Sequence, residues 1–135
     1  MDKTQVKDLM TRNIVSVDLN ENLDKIARLI VEKEIGSILV YNENKELFGI
    51  ITKRDILARV LLECHNPCNF KAKDVASKNL ITISPEKTIK EALMMMYKHK
   101  IRRIPVKDPK NGEIVGIITT HDLIAAYNYL QLPSI

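Results

Sequence analysis

The sequence predicts a mixed α/β (α+β) fold made of two β-α-β-β-α repeats. Three observations carry that expectation: the chain repeats itself at half its length, each copy alternates short β-branched runs with stretches of helical period, and a polar turn joins the last two runs of each copy. Asn13-Ile14-Val15-Ser16-Val17 recurs as Asn79-Leu80-Ile81-Thr82-Ile83, an offset of 66. Gly49-Ile50-Ile51-Thr52-Lys53-Arg54-Asp55 recurs as Gly116-Ile117-Ile118-Thr119-Thr120-His121-Asp122, an offset of 67. The extra residue falls in the turn, which is Asn42–Lys45 in the first copy and Lys107–Gly112, with Pro109 and an Asn111-Gly112 pair, in the second.

Each element follows in order. Residues 14–17 and 80–83 are short apolar runs rich in β-branched side chains and read as strands. Leu23, Ile26, Ala27, Ile30 and Val31 recur at helical spacing, as do Ile89, Ala92, Leu93 and Met96. Ser84-Pro85 and Thr88-x-x-Glu91 supply start signals for the second of these helices. Ile38-Leu39-Val40 and Ile104-Pro105-Val106 lead through the turns to Leu47–Ile51 and Ile114–Ile118, after which Thr52 and Thr119 open a last helix. The domains expected are therefore residues 6–61 and 72–130, with 62–71 as connector. Met94, Met95 and Met96 are three adjacent helix positions that point in different directions, so packing plus one exposed Met is expected and not a metal surface.

Composition bounds the function. The chain has 135 residues, 45% hydrophobic and 28% charged, the balance of a soluble globular protein. No apolar run approaches the roughly 20 residues of a membrane span. Residues 1–20 mix acids with bases and lack an apolar centre, so no secretory signal is read and a cytoplasmic location is expected. The net charge is +4, but residues 1–67 hold 10 bases against 11 acids while residues 68–135 hold 11 against 6. That basic second half permits polyanion contact. With 4% aromatic residues and no Trp, a base-stacking platform is poorly supplied. Cys64-His65-Asn66-Pro67-Cys68 offers three metal-ligand types but no fourth, so no metal site is expected, and cytosolic thiols stay reduced. No phosphate loop, nucleophile elbow or His-Glu-x-x-His is present, so neither an enzyme nor a cofactor is expected.

The paired Gly-Ile-Ile-Thr-x-x-Asp segments, with Val6-Lys7-Asp8-Leu9-Met10, Ala72-Lys73-Asp74-Val75 and Arg103-Ile104-Pro105-Val106, resemble the cystathionine-β-synthase (CBS) domain. Two copies in register look like a tandem CBS pair, or Bateman module. The resemblance implies two repeats packed by pseudo-twofold symmetry through their sheets, with clefts that hold adenosine-containing ligands such as AMP, ADP, ATP or S-adenosylmethionine. It further implies energy sensing that signals, by conformational or assembly change, to a regulated protein partner, and it points to a homodimer. Ile56, Leu57, Val60 and Leu61 in one copy, and Leu123, Ile124 and Tyr127 in the other, exceed what one helix face toward a small sheet requires, which suits a second copy.

The chemistry of the site residues can be read beside the resemblance. A carboxylate accepts from both hydroxyls of a ribose diol, which suits Asp55 and Asp122. A Thr hydroxyl beside free N–H groups at a helix start suits phosphate, which places Thr52 and Thr119 there. Thr-x-x-Asp is equally the signature of a helix capping box. Positive charge is expected from Arg54 and His121, next to the carboxylates, and from Arg103. The resemblance maps adenine contacts onto Val17, Ile38, Ile83, Ile104 and Pro105, for which core packing is the alternative. Gly36-Ser37-Ile38-Leu39 stands where the second copy has Arg102-Arg103-Ile104-Pro105, so the two clefts are expected to differ. Competing readings are a nucleic-acid-binding protein using the basic half, and a regulatory subunit related to the CBS portion of inosine-monophosphate dehydrogenase, without its catalytic barrel.

Overall fold

The structure is a computed structural model that describes residues 3–78 and 81–131, with side chains described as far as Ala126. Asn79, Leu80 and the side chain of Tyr127, all used above, lie outside the described residues. In chain order the elements are α1 (Val6–Leu9), β1 (Ser16–Asp18), α2 (Leu23–Glu32), β2 (Ser37–Tyr41), β3 (Leu47–Thr52), α3 (Lys53–Ile56), α4 (Ala72–Val75), α5 (Ile89–His99), β4 (Arg103–Lys107), β5 (Ile114–Thr119) and α6 (Thr120–Gln131). Among the described residues no helix is long and apolar enough to cross a membrane.

The chain divides into two compact units that cut across the sequence repeats: Val15–Leu80 is one, and Met1–Ile14 with Ile81–Ile135 is the other. In Val15–Leu80, β1 pairs parallel with β2, and β2 pairs antiparallel with β3. The β2–β3 turn closes because the Asn42 side chain accepts from the N–H groups of Asn44 and Glu46, at 2.9 and 3.0 Å. Successive strand residues face opposite sides, so Ile38 and Val40 enter one face together with Ile51. Leu23, Ile26 and Ile30, one turn apart on α2, cover that face, and Ala72, Val75 and Ala76 complete it. The second unit repeats the plan: Ile104, Val106 and Ile118 of β4 and β5 meet Ile89, Ala92 and Met96 of α5, completed by Val6 and Met10.

The completing helix in each unit comes from the leading segment of the other sequence repeat. Val6 N donates to Lys87 O at 2.8 Å, Lys7 N to Pro85 O at 3.0 Å and Ile89 N to Thr4 O at 3.1 Å, which ties α1 to the start of α5. Ala72 N donates to Glu21 O and Lys73 N to Leu19 O, both at 2.9 Å, which ties α4 to the start of α2. Just beyond α1 and α4, Thr11 bridges Ile117 and Ser77 bridges Ile50. These crossings explain the glycines of the repeated motif. A Cβ on Gly49 would stand 2.6 Å from Ser77 O, and one on Gly116 would stand 2.9 Å from Thr11 O.

Three expectations are corrected. Of the run expected as a strand over 80–83, the described residues 81–83 form none: among them only Ile83 bridges, in parallel with Val106. Its counterpart β1 is secured by Leu39 N donating to Val15 O at 3.0 Å. The residue equivalent to Leu39 is Pro105, which has no N–H for the Ile81 carbonyl. The first copy's last helix is four α-helical residues that loosen into π-helix over Leu57–Leu61, whereas α6 runs unbroken. The expected surplus of apolar helix positions holds only in part, because Ile56, Val60 and Leu123 are core residues while Leu57, Leu61 and Ile124 stay exposed. The methionine run behaves as packing, with Met96 buried, Met95 half-buried and Met94 exposed.

Candidate functional site

The two Thr-x-x-Asp segments form matching corners where the last strand of each unit turns into a helix. Thr52 keeps an extended backbone, φ −110° and ψ 164°, which ends β3 and turns its hydroxyl toward the first turn of α3. Its Oγ1 accepts from Asp55 N at 3.1 Å, and Asp55 Oδ2 accepts from Thr52 N at 2.9 Å. Thr119 and Asp122 repeat this, with both bonds at 3.0 Å. Each pair satisfies two N–H groups that a helix start leaves without partners, so both are capping boxes.

The second carboxylate oxygen differs between corners. At Asp122, the Thr11 hydroxyl donates to Oδ1 at 3.1 Å and lies 3.3 Å from Oδ2. At Asp55, Arg59 Nε stands 3.8 Å from Oδ1, while Arg59 Nη1 donates to Val75 O at 3.0 Å. A carboxylate offers about four lone-pair sites. Both aspartates are half-buried and keep acceptor capacity beyond these bonds.

The cations that precede the two aspartates in sequence face solvent. Arg54 and His121 are exposed and precede the aspartates by one helix position, and adjacent helix positions diverge. Cross-strand register brings Arg103, half-buried on β4, opposite Thr119, so Arg103, Thr119 and Asp122 share one end of β4–β5. In the other unit the residue opposite Thr52 is Ser37. The two corners therefore differ, with a strand cation at one and a helix cation, Arg59, at the other. Sequence reasoning missed Arg59 and Thr11. The i,i+4 spacing of Asp55 and Arg59 was a usable signal; Thr11 and Asp122 are 111 positions apart and gave none.

The residues mapped to adenine are mostly core. Ile38 and Ile104 are fully buried, Ile83 nearly so, and all three belong to the apolar clusters of their own units. Strand alternation explains why Ile104 and Pro105 cannot share a surface: their side chains leave β4 on opposite faces. Val17 is half-buried against the first cluster. Cys64 and Cys68 are both exposed free thiols, and among the described residues no three His, Cys, Asp or Glu side chains gather to hold a metal.

Comparison with known proteins places the fold and the repeat. The CBS domain family matches residues 6–62 and again 72–129. An uncharacterized protein of Methanopyrus kandleri is 33% identical over 130 residues, covering 96% of this chain, and the chain spans 66% of that relative's length. A crystal structure of an uncharacterized conserved protein from Pyrococcus horikoshii superposes with a TM-score of 0.84 at 31% identity, covering 93% of this chain and 94% of that one. A CBS domain pair solved in complex with 5′-methylthioadenosine and S-adenosyl-L-methionine gives a TM-score of 0.78 at 26% identity, covering 92% and 99%.

Proposed function

The chain belongs to the CBS domain family, with two CBS domains in tandem, and from that membership we propose that it is a regulatory module binding adenosine-containing ligands at its Thr-x-x-Asp corners. The observation that carries the reading is the duplicated corner itself, a half-buried carboxylate with spare acceptor capacity beside a Thr hydroxyl at a helix start. The similar CBS pair that holds 5′-methylthioadenosine and S-adenosyl-L-methionine supports the adenosyl class. Asp55 and Asp122 accept from ribose hydroxyls, Thr52 and Thr119 stand near phosphate, and Arg103 adds charge at the second corner, with Arg54 and His121 as outer cations. The module is not itself catalytic; it works as a homodimer whose assembly or partner contacts respond to occupancy.

Calorimetry and thermal shift with AMP, ATP and S-adenosylmethionine test this. Ligand at about 100 times its dissociation constant should stabilise the fold by about 2.7 kcal/mol. Asp55→Asn and Asp122→Asn keep an oxygen for the cap N–H while removing the charge, so together they should weaken binding strongly and leave the fold intact. Unchanged affinity in that double variant would reduce both aspartates to caps. The nucleic-acid reading draws on the basic second half and predicts affinity that collapses with added salt. Binding of a small nucleotide would change far less.

A further inference from the structure

Arg59 lies on the π-helical stretch Leu57–Leu61, one turn after Asp55. Its Nη1 donates to the carbonyl of Val75, the last residue of α4, at 3.0 Å. That bond orients the whole guanidinium, because its five N–H donors are fixed in one plane. Nε is thereby left 3.8 Å from Asp55 Oδ1, with the Asp55 side chain 15% exposed and that of Arg59 51% exposed. Hydrogen-bonded N–H···O pairs lie about 2.7–3.2 Å apart, so donor and acceptor face each other here without bonding.

The gap has the dimensions of one oxygen atom. An atom about 2.8 Å from each end closes a triangle on the 3.8 Å base. It must donate to Oδ1, which only accepts, and accept from Nε–H, which only donates. Among the groups of an adenosine ligand, a sugar hydroxyl does both, whereas phosphate oxygens and the bare ring nitrogens only accept. The matching corner shows the equivalent oxygen already engaged by a hydroxyl, for Thr11 Oγ1 donates to Asp122 Oδ1 at 3.1 Å. By sequence offset the counterpart of Arg59 there is Ala126, which carries no side-chain donor. The counterpart of Thr11 is Ser77, and among the described residues its hydroxyl makes no such bond to Asp55.

We propose that Arg59 is a ligand-specificity residue of the first corner: with Asp55 it takes one ribose hydroxyl, which donates to Oδ1 while accepting from Nε. The first corner then distinguishes ribose from a deoxy sugar more strictly than the second, where Oδ1 is engaged from within the chain. This rests on the adenosine reading proposed above and names the groups that recognise the sugar.

Calorimetry with AMP, 2′-deoxy-AMP and 3′-deoxy-AMP tests it in an Asp122→Asn background, which leaves the first corner as the remaining carboxylate site. D122N should bind AMP at least about tenfold more tightly than one of the two deoxy forms, the worth of a hydrogen bond to a charged group. Adding Arg59→Met should lower that ratio at least about threefold, the coupling expected when residue and ligand hydroxyl touch. Arg59→Lys keeps a charge but not the fork, should lose the ratio likewise, and stands in should R59M not fold. An arginine that merely supports α4 would lower affinity for all three ligands alike. A ratio that both variants leave unchanged, or no discrimination among the three ligands in D122N, would overturn the inference. So would a D122N chain that binds none of them while the wild type binds AMP, though the proposed function would stand. A wild type that binds none would overturn both.

Discussion

At Asp122 one carboxylate meets a backbone N–H of its own helix cap and a hydroxyl from 111 positions away. The first contact is a property of the local sequence; the second depends on Thr11 having been delivered by α1. Thr11→Val keeps the shape and deletes the hydroxyl. It should lower stability by about 0.5–1.5 kcal/mol, the net worth of an ordinary hydrogen bond, because solvent at this exposed contact screens the carboxylate's charge. Urea denaturation reads the change, and an unchanged midpoint would mean that Thr11 merely rests against Asp122. The same variant frees an acceptor at Oδ1. Nucleotide affinity should therefore rise while stability falls, whereas a purely structural aspartate would leave affinity unchanged.

Elements show where sequence reading succeeds and where it stops. The turns, α2, α5 and the Thr-x-x-Asp caps were legible because their causes lie within a few residues: Asn42 folding onto its own turn, apolar positions three and four apart, and Thr88 accepting from Glu91 N at 3.2 Å. The absence of a strand over the described residues 81–83 was not legible, since its cause is an N–H absent from Pro105, more than twenty positions away. The core role of Ile38 and Ile104 was open to inspection through strand alternation, yet the family mapping drew them toward the ligand. The glycines of the repeated motif read as part of a signature; their cause is the backbone crossing at Ser77 and Thr11. Gly49→Ala drives a methyl group to 2.6 Å from a carbonyl that is held by its own hydrogen bond. Destabilisation of about 1–3 kcal/mol is expected from such overpacking. A thermal midpoint within error of the wild type would show that the Ser77 crossing yields easily.

For the whole molecule, the interleaving of repeats and units decides what can fold alone. A fragment ending at residue 66 would keep α2, β2 and β3 but lack Ala72, Val75 and Ala76, while the remainder would keep α5, β4 and β5 but lack Val6 and Met10. Neither fragment should unfold cooperatively by itself, and an equimolar mixture should regain cooperative melting by circular dichroism. A lone fragment that melts like the intact chain would contradict this.

The exchange of α1 and α4 also bears on how such a chain could arise by duplication. A solitary copy of this repeat cannot cover its own core, because the helix that covers it is drawn from the other copy. Two free copies would meet that need only by swapping leading helices, at whatever concentration the cell supplied. Joining them end to end makes the swap intramolecular, at an effective concentration in the millimolar range for a short link. Once fused, the copies no longer had to be identical. One leading segment could acquire Thr11 while the other kept Ser77, and one last helix could carry Arg59 while its twin carried Ala126.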